Sequence, residues 1–265
     1  MTDQQTEYLR TAVLAAQEAA RIHRFYVGGE LDVTTKSNDT DLVTKVDRLC
    51  EQRIREIVEE RHPGHAVLGE EMGGPGSEAE YRWIVDPLDG TVNYAHGFPF
   101  YCVSIALEIA GKIEVGVVLD SVHHEMFSAV RGAGAFLDGA PIRVSSEPDP
   151  GRALLSTGFS YDRDKLMDNA RVLMRVLPRV RAIRRPGAAA LDLCFVACGR
   201  LDGFWELTLN PWDVAAGVLI IAEAGGRVSG GDGGGYDLGD PVLIATNGRL
   251  HDPLVELLEL QETPA

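Results

Sequence analysis

Trp83-Ile84-Val85-Asp86-Pro87-Leu88-Asp89-Gly90-Thr91 is a short apolar run that ends in two carboxylates, a glycine and a hydroxyl. The pattern predicts a buried strand that delivers a polar site. Pro87 has no N–H and disfavours helix in the residue before it, so the strand is expected to stop at Asp86. Asp89 then stands as the N-cap of a helix starting at Gly90, and such a helix N-terminus presents free N–H groups to an anion. Carboxylates beside this nest suggest a metal ion holding a phosphate. A pair of metals about 3.5–4 Å apart needs a bridging carboxylate and further acids from elsewhere in the chain.

Two other stretches supply such acids. Ala66-Val67-Leu68-Gly69 reads as a short strand with Glu70 and Glu71 at its end, repeating the pattern at Asp86. Asn210-Pro211-Trp212-Asp213 is a helix start, with Asn210 as N-cap, Pro211 at the first helical position and Asp213 in the first turn. Taken singly, Asp213 or Asp89 would be read as simple capping, which stabilises a helix by about 0.3–1 kcal/mol. Together, Glu70, Asp86, Asp89 and Asp213 all fall at strand ends or helix starts, and they could supply the oxygen ligands of Mg²⁺.

Around these stretches the periodicity predicts an amphipathic helix over 6–25, an exposed loop from Gly28 to Thr40, and a helix from about Thr44 closed by His62-Pro63-Gly64. Strands are expected at 101–110 and 113–120 as a hairpin, then at 126–131 and 141–144. The polar, proline-rich run Ser145–Gly151 reads as a boundary, giving an N-terminal α+β domain (1–146) and a C-terminal α/β domain (147–265). In the second half, strands at 153–157, 180–184, 203–207 and 241–246 alternate with helices at about 162–176, 188–199, 211–224 and the chain end. That alternation implies a mainly parallel sheet.

The 265 residues carry 45% apolar content, enough for a core, and 40 acids against 25 bases give a formal charge of -15. Such a charge repels nucleic acid and anionic membranes, so no DNA partner is expected. Residues Met1–Gln5 are polar and no apolar run approaches the roughly 18 residues of a membrane span, so a cytoplasmic location is expected. Cys50, Cys102, Cys194 and Cys198 sit in apolar periodic segments without CxxC spacing and read as buried hydrophobes. His96, His123 and His124 are assigned no role.

Asp86-Pro87-Leu88-Asp89-Gly90-Thr91, Gly69-Glu70-Glu71 and Trp212-Asp213-Val214-Ala215-Ala216-Gly217 resemble the signatures of the inositol monophosphatase family. Asp41-Leu42-Val43-Thr44-Lys45-Val46-Asp47 and Gly187-Ala188-Ala189-Ala190-Leu191-Asp192-Leu193 match as well, so the resemblance covers nearly the whole chain, in order. It looks closest to the bacterial branch. The resemblance implies an α+β fold in layered αβαβα form, hydrolysis of myo-inositol monophosphate with two or three Mg²⁺ ions, and a homodimer. It implies that Glu70, Asp86 and the Leu88 carbonyl hold a first metal and that Asp86, Asp89 and Asp213 hold a second, with Glu70 near a third. Gly90 and Thr91 would bind phosphate, Thr91 and Asp47 would orient the attacking water, and Lys36 would face the phosphate. Ala189 and Glu206 would contact the inositol ring, with Asp89 on the substrate side. Ala188 departs from the small hydroxyl residue common in relatives.

Other readings stay open. A haloacid-dehalogenase-type phosphatase also uses an Asp-rich motif before Gly-Thr, but its aspartates are one residue apart near the N-terminus, whereas Asp86 and Asp89 are two apart and far from it. Within the family, the substrate could be fructose 1,6-bisphosphate, histidinol phosphate or a 3′-phosphoadenosine nucleotide. A mainly regulatory, protein-binding role would draw on Arg181, Arg184 and Arg185, which also read as a solvated strand edge or dimer rim.

Overall fold

The computed structural model describes residues 1–35, 42–76, 78–160 and 162–260. Lys36 and Asp41 lie outside the described residues. The chain opens with α1 (Asp3–Tyr26), capped by Thr2. A short ribbon of β1 (Thr34–Thr35) and β2 (Leu42–Val43) leads to α2 (Lys45–Arg61), whose N-cap is Thr44. Next come β3 (Ala66–Gly69), β4 (Tyr81–Asp89) and the single turn α3 (Thr91–Ala95). The meander β5 (Cys102–Ile109), β6 (Lys112–Asp120), β7 (Met126–Val130), β8 (Gly134–Leu137) and β9 (Ala140–Pro141) completes the first half. The second half runs β10 (Leu154–Thr157), α4 (Arg163–Val176), β11 (Ala182–Arg184), α5 (Ala189–Ala197), β12 (Gly203–Glu206), α6 (Pro211–Glu223), β13 (Arg227–Ser229), β14 (Leu243–Thr246) and α7 (His251–Leu258).

Strands β3 to β9 form one seven-stranded sheet in chain order, antiparallel except for the parallel β3–β4 pair. Strands β11-β10-β12-β14-β13 form a second sheet. Alternation along β4 sends Trp83 and Val85 to one face, against α1 and α2, and Ile84 to the other, against α5 and α6. Helices α5 and α6 also meet the second sheet through Phe204 and Ala245. Val172, Val176, Leu254 and Leu258 of α4 and α7 cover that sheet's outer face, against Leu155, Trp205 and Ile244. The order of layers is therefore α, β, α, β, α, as the resemblance implied.

Two glycines let α6 sit deep in this stack. A Cβ on Gly116 of β6 would come within 2.8 Å of the Ala216 carbonyl oxygen, and one on Gly217 within 2.5 Å of Leu193. The backbone of α6 therefore packs on the backbone of β6 and on the Leu193 side chain of α5, fixing the height of α6 and of Asp213 at its start.

Three expectations change. β4 does not stop at Asp86: it continues to Asp89, with the register against β5 shifted between those two residues. A bulge needs no ladder N–H from Pro87, so proline is tolerated there. The second sheet is mixed rather than mainly parallel, because β14 runs antiparallel to both β12 and β13. The strand expected over 141–144 is the short β9 ending at Pro141, and β8 and β13 carried no clear alternation to announce them. The four cysteines are free, as expected, and three are buried.

The bulge is held from behind by His23, a fully buried residue of α1. Its Nε2 lies 3.0 Å from the Pro87 carbonyl and its Nδ1 2.9 Å from Ser121 Oγ. A carbonyl only accepts, so Nε2 carries the proton and Ser121 donates to Nδ1. Burial lowers the His23 pKa from 6.5 to about 4. The unfolded chain thus takes up a proton that the folded chain refuses between those values, and the His23 contribution, complete above pH 6.5, is lost as pH falls to about 4. The difference corresponds to about 3 kcal/mol. Urea titrations at pH 7 and pH 4.5 should show a steeper loss of stability in the parent chain than in His23→Gln; equal losses would contradict the assignment.

Candidate active site

The carboxyl ends of β3 and β4 and the starts of α3, α5 and α6 converge on one side of the sandwich. Glu70, Asp89 and Asp213 form a wall common to two cavities. One also contains Asp86, Leu88, Gly90 and Thr91. The other contains Ala189, Asp192, Glu206 and Thr208, with Arg185 at its edge.

In the first cavity, Asp86 is 2% exposed. Burial raises its pKa well above the usual carboxylate range, and Glu70, Asp89 and Asp213 raise it further by charge repulsion, with a hydrogen bond to Glu70. Burial and Glu70 likewise raise Asp213, which accepts the Asn210 N–H at 2.7 Å as the capping pattern anticipated. The Asp89 pKa is pushed up to about 7, chiefly by burial. Thr91 Oγ1 lies 2.9 Å from both Asp47 Oδ1 and the Leu88 carbonyl. Asp47 is itself fully buried and accepts the Thr44 N–H at 2.8 Å, so α2 and α3 are joined through one carboxylate.

Asp89 does not cap the helix that follows it. Gly90 occupies that N-cap with φ +93, a left-handed conformation that suits glycine. Asp89 Oδ2 instead accepts the Ala190 N–H at 2.8 Å, at the start of α5. The N-cap of α5 is Ala188, which has no side-chain acceptor, and an acid from the other sheet takes its place.

Glu70 is positioned from below. Glu51 of α2 is fully buried, accepts the Glu71 N–H at 2.7 Å and pairs with Arg55 at 2.7 Å. Arg55 donates to the Val67 carbonyl at 3.1 Å and also to the Gly73 carbonyl, so the pair brackets the turn after β3. Gly69 provides the room, since a Cβ there would fall 2.1 Å from Glu51 Oε1.

In the second cavity, burial raises Glu206 well above the usual range, with repulsion from Asp213 and Asp192 added and attraction to Arg185 opposing it. A Cβ on Gly158 would stand 1.9 Å from Glu206 Oε2, so the glycine makes space for this carboxylate. Arg185 stacks over Phe159, 5.5 Å from the ring centre, while Arg181 and Arg184 stay exposed by the edge strand β11. His96, His123 and His124 are exposed and stand outside both cavities. Asp192, Thr208, Glu51 and Gly158 were not singled out from the sequence for any role. The available signals were an acid inside the otherwise apolar α5 and a glycine directly after β10.

Among the described residues, no three His, Cys, Asp or Glu side chains are drawn tightly enough together to cage an ion. The donor set still fits a hard divalent cation: it is all oxygen, buried, and raised in pKa first by burial and then by mutual repulsion, which a cation would relieve.

Residues 4–262 match the family model of the inositol monophosphatase family. The chain is 44% identical to the inositol-1-monophosphatase of Synechocystis sp. over 95% of its own length and 88% of that protein. It is 41% identical to the Nus factor SuhB of Pseudomonas aeruginosa, over 97% of each. The solved inositol monophosphatase from Anabaena (Nostoc) sp. superposes with a TM-score of 0.88 at 40% identity, covering 99% of this chain and 98% of that one. Fold, acids and relatives together define a phosphatase acting on phosphomonoesters. The chain belongs to the inositol monophosphatase family, which is metal-dependent.

Removing Glu51 would strand Arg55 and the Glu71 N–H together. Glu51→Ala is expected to cost about 3 kcal/mol, the size typical of a broken buried ion pair. Urea unfolding measures it, and a loss below about 1 kcal/mol would show that the turn holds without this clamp.

Proposed function

We propose that the chain hydrolyses myo-inositol monophosphate to inositol and phosphate with Mg²⁺ as its ion, two or three per chain, working as a cytoplasmic homodimer. Glu70, Asp86 and the Leu88 carbonyl would hold a first ion, and Asp86, Asp89 and Asp213 a second, with Glu70 beside a third. The observation that carries this reading is buried Asp86, set between Glu70, Asp89 and Asp213, all three of which repel it. Bound Mg²⁺ would supply Lewis-acid polarisation of the phosphate and a lowered pKa for the attacking water.

The remaining steps belong to the protein. The first-turn N–H groups beginning with Gly90 and Thr91 would receive the phosphate oxygens at the start of α3. Thr91 Oγ1, poised between Asp47 and the Leu88 carbonyl, would orient the water for in-line attack. Lys36 would face the phosphate from the loop. Ala189 and Glu206 would hold the inositol ring in the second cavity.

The division into residues 1–146, with most metal ligands, and 147–265, with Asp213 and the ring contacts, is supported by the sheets: β3–β9 fall in the first part and β10–β14 in the second. No helix among the described residues is long and apolar enough to cross a membrane, which agrees with the cytoplasmic part of the reading. A second reading, regulatory protein binding, is favoured by the likeness to a Nus factor and by exposed Arg181 and Arg184. It need not exclude catalysis, since the acids are present in full.

Asp86→Asn should abolish Mg²⁺-dependent phosphate release while the chain still folds. The thermal stabilisation given by Mg²⁺ plus phosphate, about 2.7 kcal/mol at a hundredfold excess over the dissociation constant, should be lost with it. A variant keeping most of its turnover at saturating Mg²⁺ would remove Asp86 from the role of bridge.

Glu206→Ala should lower kcat/KM for inositol monophosphate by roughly one to two orders of magnitude, the value of a hydrogen bond to a charged group. An aryl phosphate without hydroxyls should change far less. If inositol monophosphate is hydrolysed as before, a different phosphomonoester becomes the better candidate.

A further inference from the structure

Two buried polar atoms in the second cavity, Asp192 Oδ1 and Thr208 Oγ1, have no hydrogen-bond partner among the described residues. Asp192 is 1% exposed, within a helix whose other residues, Ala189 to Ala197, are all apolar or cysteine. Its position in the first turn invites a capping explanation, but the Ala190 N–H of α5 is already taken by Asp89. Thr208 lies two residues beyond Glu206 in the β12–α6 connection, on the same cavity wall. Ser156 acts on the Asp192 carboxyl as a side-chain hydrogen-bond partner, yet Oδ1 is left over, and a buried oxygen that faces a cavity without a partner calls for one that enters the cavity. Neither residue lines the cavity that contains Gly90 and Thr91. They therefore belong to the end of the site that takes the alcohol, not the phosphate.

We propose that Asp192 and Thr208 form a second hydroxyl-binding pair, beside Glu206, for the alcohol half of the substrate. Asp192 Oδ1 accepts a hydrogen bond from one hydroxyl of the leaving alcohol, and Thr208 Oγ1 exchanges one with another. The substrates this pair selects are phosphate monoesters of polyhydroxylated rings carrying at least two free hydroxyls beyond the one engaged by Glu206. Arg185, the cation bordering this wall, opposes the rise in pKa that burial imposes on Asp192 and Glu206. The inference rests on reading the second cavity as the alcohol site.

The test compares myo-inositol 1-phosphate with 4-nitrophenyl phosphate, which has no hydroxyl to offer, in the parent chain and in Asp192→Asn, Thr208→Val and Glu206→Ala. The ratio of kcat/KM for the polyol to that for the aryl ester should fall about tenfold in Asp192→Asn and severalfold in Thr208→Val, mainly through KM. Melting temperatures of Asp192→Asn and Thr208→Val should hold or rise, since each change removes or softens an unpartnered polar atom. A ratio that falls in Glu206→Ala but stays at the parent value in the other two overturns this inference alone. A parent chain with no preference for the polyol overturns the alcohol-site reading and this inference with it. Equal losses on both esters would make Asp192 and Thr208 structural and also overturn it.

Discussion

Repulsion between buried carboxylates is the constraint around which this molecule is arranged. Glu70, Asp86, Asp89 and Asp213 come from the ends of two strands and the start of a helix in the other half of the chain, and burial with mutual charge lifts Asp86 and Asp213 above their ordinary pKa range. Such a cluster is held by rigid parts or it disperses. Gly116 lets α6 rest on the sheet backbone and Gly217 lets it close on the Leu193 side chain of α5, Glu51 and Arg55 clamp the turn behind Glu70, and His23 supports the Pro87 carbonyl. The scaffold supplies the energy that the acids cost one another.

On the function proposed above, the same arrangement would separate two tasks in space. The cavity beside α3 offers main-chain N–H groups and Thr91, suited to a phosphate, whereas the cavity beside α5 offers acidic and hydroxyl side chains, suited to an alcohol. The wall they share is where the ester bond would lie. Selectivity can therefore change on one side without disturbing the other. Gly158 shows how narrow that side is, since its hydrogen is all that leaves room for Glu206.

Much of this was legible in the chain because the signals are local. Thr44 and Asn210 announced their helices by capping chemistry, β5 and β6 by a hairpin around Gly111, Glu70 and Asp86 by carboxylates following apolar runs, and Asp213 by its place in the first turn after Asn210-Pro211. The illegible parts depend on residues distant in sequence. Pro87 breaks a regular strand, yet β4 passes through it because the bulge needs no N–H and His23, 64 positions away, takes the carbonyl. Asp89 has the local look of a cap for the next residues, but its N–H partner is Ala190. The direction of β14 likewise depends on neighbours in space that no period of two reveals.

Asp89 consequently serves two masters. It belongs to the acidic wall, and it also ends α5, a helix with no cap of its own. A lineage that abandoned hydrolysis for a scaffolding duty would still be selected to keep this aspartate, because losing it frays a central helix. Its persistence in a diverged copy says little about whether that copy still turns over substrate. Asp86, which its neighbours make a standing liability to the fold, is the position where decay of the activity would be recorded first.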